Sequence, residues 1–539
     1  MMTASSKPTE ENWHPSSLIA YNTLPGHQDF DSTISDAKPT ADTRTNFYDR
    51  SLTSRRYALV GMACSSIFSC LCIITGIVTL ANHGSMGVTP LNMVNDADSS
   101  QLPLQTEILT LMLDLIVTLC TESIGFVHGI SLRSALASES RLRFNTNLRL
   151  LTAARGWHNP NGALLNGISA VLLIISYSSA SVAICLDQNA NNLETSFPTF
   201  YEGIAIAGIP LLILGVALLL QVMIALSAMW AVKILTWSSS PFDLTAALVH
   251  HTQLTPATLR CMHCVSDLDT YEGPAKPSET QPSAWHAHPS IRKVVIFLWV
   301  TVAACAAWAA LVTGISDRSL TLQTWSFFQN YDGHWMIYEL PTGSPEAAWI
   351  LLFVNIATFQ GLLTLVLHCS ELIANVIRDE RQWRCATRSQ GLRVATNSLQ
   401  QIFTHPLCLV LFIAKPFLHW MFGLSFNIIT GAYNESLSDR FSIYMFAAQI
   451  WNLCIALFIF ACFFTFVALR RLSGPQPAAY GHLQTLANLM DEWAPVMWWG
   501  HKEDGIPYCH AGTSDHPLPD VKMDCVYAGS GAGSLVALS

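Results

Sequence analysis

Eight stretches of this chain are apolar over the length a helix needs to cross a membrane. About 20 residues rising 1.5 Å each span a hydrocarbon core of about 30 Å. The runs 57–81, 106–130, 162–186, 203–234, 294–315, 347–371, 406–430 and 441–469 meet that requirement. Lipid offers no partner to a backbone N–H or C=O, so runs of this kind read as helices and not as open strands. Composition agrees: 12% of the 539 residues are charged, against about 25% in soluble proteins. The expected fold class is an all-α polytopic membrane protein with eight transmembrane helices.

Orientation follows from Lys and Arg. They gather before the first run, in the loops after runs two, four and six, and after the eighth. The other loops hold only Arg318 and Arg440, and Lys415 lies inside a run. This asymmetry places both termini in the cytosol. The one Asn-x-Ser/Thr sequon, Asn434-Glu435-Ser436, falls in an outside loop, as a glycosylation site at Asn434 requires. The polar first 50 or so residues read as a disordered tail without a signal peptide, leaving the first run as an uncleaved anchor. Ten of the cysteines lie in apolar runs and no outside loop has a clear one, so no exofacial disulfide framework is expected.

The text repeats at an offset of 240. "HGISLRSALASESRLRF" (128–144) lies over "HCSELIANVIRDERQWR" (368–384), aligning His128 with His368, Leu132 with Leu372 and Arg141 with Arg381. Both segments leave an apolar run and continue as charged helical text with no stop signal. We read a 4+4 tandem repeat, the two units related by an axis along the membrane normal. Spans two and six then carry cytosolic helical extensions; a dozen extra residues reach roughly 18 Å beyond the membrane. The expected segments are a cytosolic tail (1–54), a first four-helix unit (55–252), a linker loop (253–290), a second unit (291–495) and a C-terminal tail (496–539). Ser240, Pro241 and Asp243 have the grammar of a helix start. Leu483, Leu486, Met490 and Trp493 recur at helical spacing.

The stretches "GPQPAAYGHLQTLANLMDEW", "MWWGHKEDG" and "HGISLRSALASESRLRFNTNLRL" resemble an uncharacterised family of fungal multi-spanning membrane proteins. The resemblance implies an integral membrane protein and carries no activity, ligand or functional residue.

The residues most able to carry chemistry are charges inside the runs. Run two holds Asp114, Glu122 and His128, and run seven holds Lys415 and His419 one turn apart, with Pro416 between them. An unpaired Asp at a span centre costs about 2.5–3.5 kcal/mol on insertion scales. A buried polar site between spans two and seven is therefore expected, with Asp114 or Glu122 paired to Lys415 and His128 or His419 able to move a proton. The alternative is a structural ion pair that locks helix packing. His368 and Glu371, near the inner end of run six, read more readily as interfacial.

Cys261, Cys264, His286 and His288 share one cytosolic loop and are weak metal candidates, because their spacing is not that of a standard finger. Cys509, His510, His501, His516 and Cys525 in the tail have no recognisable ligand spacing. The outside loop with Trp325, Phe327, Phe328, Tyr331, Trp335 and Tyr338 reads either as a lid or as a ligand platform. No phosphate loop, nucleophile elbow or His-Glu-x-x-His is present. No enzyme activity and no cofactor are expected. The lipid bilayer is the expected partner, a small-molecule or protein partner stays open, and no tract suits nucleic acid. Two functions fit: a transport or permeation protein, or a non-catalytic sensor or scaffold acting through the extensions.

Overall fold

The computed structural model describes residues 51–83, 88–91, 102–188, 201–257, 259–267, 273–316, 325–329, 335–339, 345–394, 405–431 and 440–529. Residues 1–50 of the expected tail, Tyr331 and the sequon at Asn434 lie outside the described residues, while Leu52–Ser54, expected in the tail, already belong to the first helix. All described residues belong to one unit, Arg44–Ser539.

Among the described residues, eight helices are long and apolar enough to cross a membrane, which makes the chain an integral membrane protein by length and composition. They are α1 (Leu52–His83), α2 (Leu102–Ser138), α3 (Ala163–Ala183), α4 (Gly208–Trp230), then, after two short helices, α7 (Pro289–Ile315), α8 (Pro345–Trp383), α9 (Pro406–Leu424) and α10 (Ala447–Leu469). Their outward faces expose Ile67, Ile74, Val354, Ile459 and Phe466. Water would penalise such a surface, and lipid does not. α2 has 37 residues and α8 has 39. Each is therefore about 55 Å long, well beyond the hydrocarbon thickness.

The fold is mostly helical, as expected, and among the described residues eleven short strands accompany the helices. β1 (Val88–Leu91), β2 (Ile184–Gln188) and β3 (Tyr201–Ala207) form a sheet of order β1-β3-β2. β5 (Trp335–Glu339), β7 (Phe426–Gly431) and β8 (Arg440–Phe446) form a second, of order β5-β8-β7. The expected runs three, four, seven and eight overshoot into this strand text. "FNIITG" and "RFSIYMF" hold enough apolar residues to read as continuations of the runs beside them, and a short apolar run does not by itself distinguish strand from helix. Antiparallel pairing with a neighbouring connection decides it. The two sheets occupy equivalent places, each using the connections after the first and third helices of its half, and they share one strand order.

At the other end of the bundle the connections and the C-terminal segment build a lobe. It contains α5 (Pro241–His250), β4 (Thr280–Gln281), α6 (Ala284–Ala287), β6 (Leu392–Arg393), β9 (Leu472–Ser473), α11 (Leu483–Leu489), β10 (Val496–Glu503) and β11 (His510–Ser514). Ser240 caps α5 by accepting from Phe242 N–H. Phe242, Cys261, Trp383, Leu486, Trp499 and Tyr527 share its apolar core, so residues 253–290 and 496–529 fold against each other.

The lower end of α8 is tied into this lobe. Glu380 accepts from the backbone N–H groups of Ala479 (2.9 Å) and Tyr480 (2.8 Å) and from Arg384 (2.9 Å). Trp383 donates to the Pro477 carbonyl at 2.8 Å. Gly481 has φ +70°, and a Cβ there would stand 2.7 Å from Asp379 Oδ2. Only glycine satisfies both demands cheaply. Asp379 in turn accepts from Asn145 Nδ2 at 2.9 Å, while Arg133 of α2 donates to Asn145 Oδ1 and the Ser238 carbonyl, both at 2.7 Å. The two long helices are thus joined through the loops at their feet.

Candidate functional site

The contacts between the two halves run through α2 and α3 on one side and α8 and α9 on the other. The polar residues of the spans meet at this seam. Lys415, from the middle of α9, has a side chain only 2% exposed. Its ammonium is paired with Glu122 of α2 and with Glu371 of α8, and lies 3.4 Å from His368 Nδ1. His368 Nδ1 also meets Glu371 Oε1 at 3.0 Å, the one-face contact of residues three apart on a helix. Pro416, the next residue, has no N–H to give to the carbonyl four residues before it, which loosens α9 at this level.

Of the two acids expected for Lys415, only Glu122 reaches it. Asp114 lies eight residues earlier on α2, about 12 Å further along the helix. It is fully buried, and neither carboxylate oxygen meets a hydrogen-bond partner among the described residues. His368 and Glu371 are not interfacial bystanders, since they complete the cluster around the lysine. Their His-x-x-Glu spacing in an apolar run was the signal for this.

His419 lies one turn further along α9, away from the lobe. Its ring stacks on Tyr177 of α3 with centroids 3.7 Å apart and planes at 12°. Tyr177 Oη bonds Thr118 (3.1 Å) and Thr121 (3.2 Å) of α2. Gln360 of α8 donates to Ser181 Oγ at 3.0 Å and approaches His419 Nδ1 at 3.4 Å. These buried side chains form a closed polar layer across the seam. Sequence reasoning missed Tyr177 and Gln360; a tyrosine and a glutamine inside apolar runs were the available hints.

On the lobe side of Lys415 the seam opens. A cavity of about 380 Å³ is lined by Glu122, Lys415, Glu371 and His368 at its inner end, with Tyr57, Phe126, Leu411 and Phe412 on apolar walls. Arg149, from the loop after α2, also lines it and makes no hydrogen bond or ion pair among the described residues. Glu122 and Glu371 keep 35% and 30% of their side-chain surface exposed, so they are the members of the cluster that a solute can reach. A smaller cavity of about 90 Å³ adjoins it; His128 and His368, the residues aligned by the 240-residue offset, both line this space. His128 does not touch Lys415.

Glu122, His368 and Glu371 offer three ligand atoms within 4.8 Å of one another. A cation would fit that set, and the ammonium of Lys415 already fills the role. The loop candidates for a metal do not converge. Cys264 Sγ donates to Asp267 at 2.8 Å, and His286 Nδ1 pairs with Ser283 Oγ at 3.0 Å. His288 caps α7 through Ser290 N–H, and Cys261 lies in the apolar core of the lobe. At the end away from the lobe, Phe327 and Phe328 pack on Trp420, and Trp325 donates to Asn452 at 3.0 Å.

Compared with models of known families, with curated proteins and with solved structures, the chain matches none.

Proposed function

We propose that the chain is a proton-coupled transporter of small organic anions, with Glu122, Lys415, Glu371 and His368 as its coupling centre. One observation carries this reading: a lysine buried at mid-helix is held between carboxylates from both halves at the inner end of a cavity. With both carboxylates ionised and His368 neutral, the cluster holds one negative charge in excess. A proton taken up by Glu122 leaves Lys415 paired with Glu371 alone and frees the α2 side of the seam. Apolar walls and the uncommitted guanidinium of Arg149 suit a carboxylate with an apolar body. The Tyr177–His419–Gln360 layer closes the far side. This geometry suits a state open toward the lobe, and the Lys/Arg pattern favours a cytosolic lobe. The matched sheets and the paired histidines support descent from a duplicated four-helix unit, and rocking of one unit against the other would alternate access.

The test is uptake into proteoliposomes of radiolabelled carboxylates, from lactate to benzoate, with and without an inward proton gradient. Uptake of at least one that depends on the gradient is expected. Glu122→Gln should abolish the gradient dependence and Arg149→Ala should raise KM, both in protein that still folds. Absence of uptake across the panel would sink the proposal. The ties between the feet of α2 and α8 and the lobe favour a second reading, a scaffold whose lobe binds a partner. A Glu122→Gln/Lys415→Met double variant would leave a scaffold intact and disable a transporter.

A further inference from the structure

The lobe holds a second cluster that the proposed transport site does not use. His501 Nε2 lies 3.2 Å from Asp504 Oδ1, and Cys509 Sγ lies 3.7 Å from the same oxygen. One ligand atom from each of the three falls within 4.8 Å of the others. Cys509 N–H donates to the Val526 carbonyl at 2.9 Å, which brings the neighbouring Cys525 alongside. Three donors, one nitrogen, one oxygen and one sulfur, therefore converge from a strand and the turn after it, and Cys525 stands beside Cys509 as a fourth candidate. The β10–β11 ladder slips register between His501 and Glu503, a bulge of the kind that re-aims side chains. The imidazole is also held from behind, with His501 Nδ1 2.9 Å from Tyr527 Oη. That hydroxyl accepts from Lys522 N–H at 2.8 Å. Outer-shell support of this kind orients the histidine of a metal site. Finally, Lys522 Nζ sits 2.6 and 2.7 Å from the two oxygens of Asp504, in the position of a cation.

From this geometry we infer that His501, Asp504, Cys509 and Cys525 bind one zinc ion, with Lys522 as the cation that zinc displaces. The donor set decides the metal. Magnesium and calcium take oxygen ligands, whereas a tetrahedral site with two thiolates and an imidazole suits zinc. Binding ionises both thiols and releases their protons to solvent, with no change of oxidation state. Four protein ligands leave no open position, so the ion is structural. It fastens the 521–527 segment to β10, beside the bridge between Ala275 and Tyr527.

The experiment is cobalt(II) titration of the full chain, purified in detergent with reductant and stripped with chelator. We expect tetrahedral visible bands and a thiolate charge-transfer band, saturating at one equivalent and reversed by zinc. Cys509→Ser/Cys525→Ser should lose the charge-transfer band, and Cys261→Ser/Cys264→Ser should keep it. Lys522→Met should bind at least tenfold tighter, a gain that misfolding cannot imitate. No tetrahedral spectrum, a charge-transfer band that survives Cys509→Ser/Cys525→Ser, or Lys522→Met binding no tighter than the parent would each overturn the assignment.

Discussion

At the scale of single residues, the placement of charge separates Asp114 from Glu122. Glu122 shares a lysine with Glu371, and Asp114 has no donor within reach among the described residues. Lys415→Met leaves two acids on an apolar seam without their cation. It should destabilise by about 3–5 kcal/mol, the usual cost of removing one partner from a buried pair. Thermal unfolding in detergent would show this, and part of the loss should return in Lys415→Met/Glu371→Gln. Asp114→Asn should unfold like the parent and, on the transport proposal, keep the parent's uptake; a collapse of uptake in that variant would count against an Asp114 without a partner.

Acid sensitivity belongs to this scale too. Burial, helped by the neighbouring His482, pushes the His288 imidazole down to about 4. Burial, with Arg381 and Arg378 nearby, does the same for His405. A histidine held below its unfolded value stabilises the fold fully above about 6.5, and the contribution drains away as pH falls toward 4. Stability should therefore drop between those values by on the order of a few kcal/mol. His288→Asn, which retains a cap acceptor, should flatten the slope when melting temperature is followed against pH.

At the scale of elements, the closest helix pair is α1 with α4. A Cβ on Gly215 would come within 2.7 Å of the Ser69 carbonyl and of Ile73, and one on Gly76 within 2.8 Å of Leu212 N. Ser69 Oγ donates to the Gly215 carbonyl at 2.5 Å across the same contact. Small residues let the backbones approach where lipid supplies no hydrophobic drive. Gly215→Val should cost about 1–3 kcal/mol through overpacking, whereas Gly314→Val, where a Cβ meets nothing within 4 Å, should cost little. Comparing the melting temperatures of the two variants checks the argument. The helices themselves were legible in the sequence because apolar length is a local property. Their ends were not: Leu424 and Ala447 bound α9 and α10 because Phe426–Gly431 and Arg440–Phe446 find strand partners.

At the scale of the whole molecule, the larger cavity on the lobe side of the Lys415 cluster makes a directional claim. Cys408 lines that cavity, and Cys64, Cys70 and Cys462 are exposed on apolar spanning helices. A membrane-impermeant maleimide offered from the lobe side of oriented vesicles should label Cys408, and labelling should vanish in Cys408→Ala. Labelling from the other side alone would show that the cavity opens away from the lobe.

The sequence by itself determined the number of apolar helices, the long unbroken courses of α2 and α8, and the fact that charges are carried within the spans. Each of these depends on residues close together in the chain and on the solvent around them. Which charges meet was decided by tertiary structure alone. Rotation about the helix axes and packing across the seam brought Glu371 and Glu122, not Asp114, to Lys415. A strand bulge and a turn likewise brought His501, Asp504 and Cys509 together without any motif spacing. Contacts between distant segments depend on how whole elements pack, and no periodicity within one element records that.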